Sequence, residues 1–201
     1  MPSDSKTLFV DIENSPIVGP VWQRREADII GQPFKESYML SFAWRWLGTA
    51  KTEVRSLRMY NSYKKDQDDT KELAKELREL YNKAEWIVGH NLAAFDDKVA
   101  NTMFVTNNIL PPKPHRVHDT LKLARKYFKF SSNSLKDLAI RLGLSPKAET
   151  GGIKLWIGCM HGDLDSWKKM EAYNKQDIVT LGEVYDKFLP WINLPKLKRI
   201  R

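Results

Sequence analysis

The sequence predicts an α/β fold, and three observations carry that expectation. Short apolar runs of strand character recur at Leu8-Phe9-Val10-Asp11-Ile12-Glu13, residues 37–47, residues 53–59, Trp86-Ile87-Val88 and Arg116-Val117-His118-Asp119. Amphipathic stretches of helical period are interspersed with them and follow them, most clearly at residues 69–84 and 164–188. The chain has 201 residues, 42% of them hydrophobic and 29% charged, which fits one folded domain with a substantial core.

The first run ends at Asn14-Ser15-Pro16, where Pro and Asn favour a turn over continued ladder pairing. In residues 37–47, Tyr38, Leu40, Phe42, Trp44 and Trp46 alternate on one face, and residues 53–59 follow as a third strand. Three antiparallel strands joined by short turns are expected, with Trp44 and Trp46 in the core. Residues 69–84 then place Leu73, Leu77 and Leu80 at helical spacing, with Lys and Glu on the other face. Trp86-Ile87-Val88 reads as a short buried strand ending in Gly89-His90-Asn91. A helix starting near Phe95 puts Asp96 close to a helix N-terminus beside a strand end, an edge at which ligand sites of open α/β sheets gather.

Pro111-Pro112-Lys113-Pro114 breaks the chain before the last strand, Arg116 to Asp119, which leads into a helix around residues 121–127. Asn133-Ser134 caps a helix carrying Leu135, Leu138 and Leu142, and Gly143 suits its C-terminal stop. Thr150-Gly151-Gly152 marks a flexible loop before Trp156, and a long final helix covers residues 164–188. No internal repeat, low-complexity segment or linker interrupts this pattern. The expectation is a single domain over residues 1–201 with a basic tail from about residue 190.

Composition narrows the function classes. A single Cys159 excludes an internal disulfide and a Cys-pair zinc site, and the four His lack zinc spacing. Cys159 and His161 therefore read as structural. No charged-then-apolar leader and no run of ~20 apolar residues is present, which predicts a cytoplasmic protein without a membrane span. The net charge of +8 is uneven: residues 1–100 hold 15 Lys/Arg against 16 Asp/Glu, whereas residues 101–201 hold 18 against 9. An excess of positive charge in one half attracts phosphate backbones at long range without reading sequence.

The chemistry concentrates in four acidic residues, Asp11, Glu13, Asp96 and Asp177, in three separate segments. On a strand, residues i and i+2 share a face, so Asp11 and Glu13 emerge side by side. Carboxylates this close repel one another unless a divalent cation compensates their charge. On the last helix Tyr173 and Asp177 are four residues apart and share one face, so a phenol and a carboxylate address the same point.

Asp11-Ile12-Glu13, then Gly89-His90-Asn91 with Phe95-Asp96, then Tyr173-Asn174-Lys175-Gln176-Asp177 resemble, in order, the three exonuclease motifs of the DEDD superfamily. The Tyr-x-x-x-Asp ending resembles its tyrosine subgroup. Leu40-Ser41-Phe42-Ala43-Trp44, Ser132-Asn133-Ser134-Leu135 and Thr150-Gly151-Gly152 are similar to segments of small stand-alone bacteriophage exonucleases. The resemblance implies a ribonuclease-H-like mixed five-stranded sheet flanked by helices. It also implies metal-dependent removal of nucleotides from 3′ ends, with release of nucleoside 5′-monophosphates. By the same resemblance, Asp11 bridges two divalent ions, Glu13 and Asp177 complete the site of the first, and Asp96 helps hold the second. Oxygen-only ligands suit Mg²⁺ or Mn²⁺. Tyr173, with an ordinary phenol pKa of ~10, suits orienting the attacking water better than acting as a base.

Asp97 adjoins Asp96 and is a second claimant to its role. Asp119 is a third, with helix capping as the simpler reading. For substrate grip the sequence offers Asn91 and Phe95 in the second motif, Lys122, Arg125 and Lys126 at helical spacing with Lys129, then Lys154, and in the tail Lys196, Lys198, Arg199 and Arg201. None carries a base code, as suits an enzyme that degrades varied sequences. DNA with single-stranded or frayed ends is the favoured partner, acted on by a monomer. RNA trimming, or a non-catalytic nucleic-acid-binding module on the same fold, are the alternatives.

Overall fold

The computed structural model describes residues 6–22, 30–145 and 151–192. Five strands form one sheet in the order β3-β2-β1-β4-β5: β1 is Thr7–Asn14, β2 Met39–Trp46, β3 Glu53–Ser56, β4 Trp86–Gly89 and β5 Arg116–Asp119. β1 pairs antiparallel with β2 and parallel with β4, and β4 is parallel to β5. The fold is thus the mixed five-stranded α/β sheet that the resemblance implies. The helices are α1 (Lys71–Lys83), α2 (Asp96–Thr106), α3 (Thr120–Tyr127), α4 (Leu135–Leu142), α5 (Lys154–Met160) and α6 (Leu164–Ile192).

β1 is the central strand, and both of its faces are covered. Leu8, Val10 and Ile12 join a core with Leu73 and Leu77 of α1 and Phe104 of α2. Phe9 belongs to the opposite core, with Ile178, Leu181, Val184 and Tyr185 of α6. Strand alternation then sends Asp11 and Glu13 to the same side as Phe9, toward α6. Burial on both faces also explains β2. Alternation there predicts one apolar face, yet Met39, Ser41 and Ala43 are as buried as Leu40 and Phe42. The second face consists of small or flexible side chains because it lies under α6.

Several boundaries differ from expectation. β2 and β3 are joined by a short turn, but β1 reaches β2 through residues 15–38, a long excursion pinned by Ser15 N–H to Tyr38 C=O (2.8 Å) and a Val18–Lys35 bridge. β3 stops at Ser56, and Leu57–Met59 continues as a 3-10 turn. α6 extends past residue 188 to Ile192, so a basic tail beginning at residue 190 overlaps the helix. Lys196, Lys198, Arg199 and Arg201 of that tail, and Thr150, lie outside the described residues.

Two helix signals read from sequence are realised in detail. The Ser134 hydroxyl accepts from Asp137 N–H at the start of α4, and Gly143 closes it with φ 65°. α5, by contrast, is not legible in the sequence as a helix. It carries no acidic residue in its first turn and no side-chain N-cap, so only tertiary packing on α6 marks it.

Candidate metal and nuclease site

Asp11 and Glu13 project from β1, and Asp177 from the middle of α6, which crosses β1 and β2. One carboxylate oxygen from each lies within 4.8 Å of the others. Asp177 is buried, while Asp11 and Glu13 are half-buried. Tyr173, one helical turn before Asp177, is buried beside it. Burial first, and then the charges of Asp177, Glu13 and Asp11, hold its phenol well above the ordinary tyrosine range. Tyr173 therefore stays protonated at neutral pH, as a donor rather than a base.

Asp96 stands slightly apart from this trio. At 4% exposure it is the first residue of α2, and its Oδ1 accepts from the backbone N–H of Ile12 at 3.0 Å. That bond places it against β1 at Ile12, the residue between Asp11 and Glu13 in sequence, although it is not among the three converging oxygens. Burial pushes its carboxyl up to about 7; the Ile12 N–H opposes this, and Asp97 and Asp119 reinforce it. Asp97 is raised mainly by burial too, with His115 and Lys122 pulling the other way. Asp119 acts as a structural anchor. Its Oδ1 accepts from the Asn91, Leu121 and Lys122 N–H groups, capping α3 and tying the β4–α2 loop to β5. In that loop Asn91 takes φ 65°, a left-handed conformation that Asn tolerates better than most residues.

Side chains that sequence reasoning missed hold the carboxylates. Trp156 Nε1 of α5 donates to Glu13 Oε2 at 3.0 Å, and its ring meets that of Tyr173 edge-on at 6.1 Å. Asn174 Nδ2 donates to Asp11 Oδ2 at 2.7 Å, and Asn174 Oδ1 accepts from the Ser41 hydroxyl at 3.0 Å. Asn174 adjoins Tyr173 in sequence, but nothing in that adjacency indicates its reach to β1.

An open cavity of about 600 Å³ borders the cluster, with Asp11 in its wall together with Asn91, Arg125, Ser134 and Lys136. Of the residues proposed for substrate grip, the structure brings Asn91 and Arg125 to it. Phe95 is half-exposed immediately before Asp96. Lys122, Lys126 and Lys154 are exposed but do not line the cavity, and Lys126 Nζ lies over the Tyr127 ring. A larger basic concavity, about 770 Å³ and lined by Lys6, Lys83, Lys113 and Arg116, opens beyond the N-terminal end of β1 and contains none of the carboxylates.

Known proteins share parts of this arrangement. Residues 61–149 match the family described as Exonuclease. The matched segment carries Asp96 and Asp119 and runs from the turn before α1 to just past α4; the Asp11, Glu13 and Asp177 trio lies outside it. No curated protein sequence matches the chain. The structure is similar to that of the family B DNA polymerase from the hyperthermophilic archaeon Pyrobaculum calidifontis, with a TM-score of 0.67 and 14% identity over 96% of this chain. The chain spans 25% of that polymerase's length. The shared fold is ribonuclease-H-like, and the family match and carboxylate cluster together support a metal-dependent nuclease acting on nucleic acid. An all-carboxylate donor set fits a hard divalent cation. Among the described residues no helix is long and apolar enough to cross a membrane.

Proposed function

We propose that this chain is a 3′→5′ exonuclease that hydrolyses phosphodiester bonds of DNA, at single-stranded or frayed ends, and releases nucleoside 5′-monophosphates. The observation that carries the reading is the convergence of Asp11, Glu13 and Asp177 beside the cavity that holds Arg125. The catalytic unit runs from β1 to α6, because its carboxylates come from both ends of the chain.

Asp11, Glu13 and Asp177, with Asp96 behind the Ile12 amide, would hold two Mg²⁺ or Mn²⁺ ions. Bound there, such ions lower the pKa of a water and stabilise the leaving 3′ oxygen. The protein's own groups do the rest. The protonated Tyr173 hydroxyl, beside Asp177, orients the attacking water. Arg125 and Asn91 in the cavity wall grip the strand through phosphate and sugar, which carry no base information. The 3′→5′ direction rests on the resemblance of Asp11-Ile12-Glu13, Phe95-Asp96 and Tyr173 to Asp177 to the motifs of the DEDD exonucleases, not on the spacing of the residues.

The test uses 5′-labelled single-stranded DNA and RNA with Mg²⁺, Mn²⁺ or EDTA, for the unaltered protein and for Asp11→Asn and Asp177→Asn. The expected result is a ladder on DNA that shortens from the 3′ end, vanishes in EDTA and falls by at least ~100-fold in each variant. Shortening of RNA alone transfers the reading to an exoribonuclease. Binding without hydrolysis makes the protein a nucleic-acid-binding module, and cuts confined to internal positions refute exonuclease action.

A further inference from the structure

We propose that Trp156 and the Asn174–Ser41 pair are positioning residues that set the orientation of Glu13 and Asp11 for divalent metal; the proposal rests on the metal reading of the cluster. Each of the two β1 carboxylates has one oxygen engaged by a side-chain N–H from a different element: Glu13 Oε2 by Trp156 of α5, and Asp11 Oδ2 by Asn174 of α6. Such a bond fixes the rotation of the carboxylate plane, which an isolated strand leaves open over a broad range.

The identity of the donors matters more than their number. A Lys or Arg in either place would pair with the carboxylates and cancel the charge that draws a cation. An amide and an indole are neutral, so they orient the ligands and leave the negative charge of the trio in place. The Asn174 amide has only one sensible orientation. Turning it over would set its carbonyl oxygen against Asp11 and its NH₂ toward Ser41, replacing a charge-assisted bond by a repulsion. Asn174 and Ser41 are both 0% exposed, so water does not compete for these bonds. Trp156 is held in turn by the edge-on Tyr173 ring, which links Glu13 to the α6 turn that carries Asp177.

The test measures Mn²⁺ binding by electron paramagnetic resonance or calorimetry, without substrate, on Trp156→Phe, Ser41→Ala, Glu13→Gln and the Trp156→Phe/Glu13→Gln double variant. Trp156→Phe keeps an aromatic ring on the Tyr173 side and removes the pyrrole half of the indole with the N–H that reaches Glu13. It is expected to weaken Mn²⁺ binding by about 10–100-fold while circular dichroism and Tm stay close to those of the unaltered protein. In the Glu13→Gln background the same change should add little, because its effect passes through Glu13. Ser41→Ala, milder than cutting away the fully buried Asn174, should weaken binding by a smaller factor. Equal Mn²⁺ affinity in the unaltered protein, Trp156→Phe and Ser41→Ala overturns the proposal. So does a Trp156→Phe effect of the same size with and without Glu13. If the unaltered protein itself binds no Mn²⁺, the metal reading falls instead, and the two failures are told apart.

Discussion

His118 is a half-buried imidazole that the site does not use. It lies on β5 with Nδ1 2.7 Å from the Tyr185 hydroxyl and its ring against Trp86, the centroids 4.3 Å apart. Burial holds its pKa below the ordinary histidine value. The unfolded chain therefore binds a proton at a higher pH than the folded one. Stability from this site is fully present above the unfolded value of about 6.5 and is lost as pH falls through and below it. Thermal or urea melts between pH 8 and 5 should show a progressive acid-side loss that is smaller in His118→Gln. Parallel pH profiles for the two proteins would dismiss His118 as its source. At this scale the sequence is most legible where a residue's chemistry is unusual for its setting. Asp11 and Glu13 on an apolar strand announce themselves, whereas Trp156, Asn174 and Ser41 look like ordinary core or helix residues until their partners are in view.

Elements position the site through two short connections. After β4 the chain turns at Gly89 and Asn91 into α2, and a Cβ at Gly89 would meet Leu92 Cβ and Cδ1 at 2.9 Å. Leu92 is fully buried and cannot retreat without moving the loop. Gly89→Ala should cost about 1–3 kcal/mol in denaturant midpoints, as overpacking does. It should also lower nuclease activity by displacing Asp96; full stability with full activity would show that the loop absorbs the extra methyl. The second connection is the start of α4, where Ser134 caps the helix and Asp137 answers by accepting from the Ser134 and Ser132 hydroxyls. Loss of the cap in Ser134→Ala should cost about 1 kcal/mol, read from urea unfolding. These signals are readable because caps and glycine stops act within a few residues. The β1–β2 excursion is hidden for the converse reason: loop length does not declare itself in a periodicity. α5 is hidden because its stability comes from α6 rather than from its own seven residues.

At the scale of the molecule, the strand order β3-β2-β1-β4-β5 makes β1 the axis on which distant segments meet. Buried Asp96 and Asp177 and half-buried Asp11 and Glu13 store mutual repulsion in the metal-free protein, so a bound divalent cation should stabilise the fold. At about 100-fold excess over Kd the gain is about 2.7 kcal/mol. For a chain of this size that corresponds to a Tm rise of roughly 5–10 °C in Mg²⁺ or Mn²⁺, measured by scanning calorimetry. Asp177→Asn should abolish most of the rise; an unchanged Tm at saturating metal would deny the coupling. The sequence by itself determined the α/β class, the order of strands along the chain, the capped helix α4 and the candidate acidic residues. It could do so because side-chain period, turn chemistry and misplaced charge are local properties. Only the tertiary structure decided that Asp11, Glu13 and Asp177 converge while Asp96 hangs from the Ile12 amide, and that a tryptophan and an asparagine hold the cluster in place. Those relations join residues more than 80 positions apart, and only packing in three dimensions brings such residues within hydrogen-bond reach.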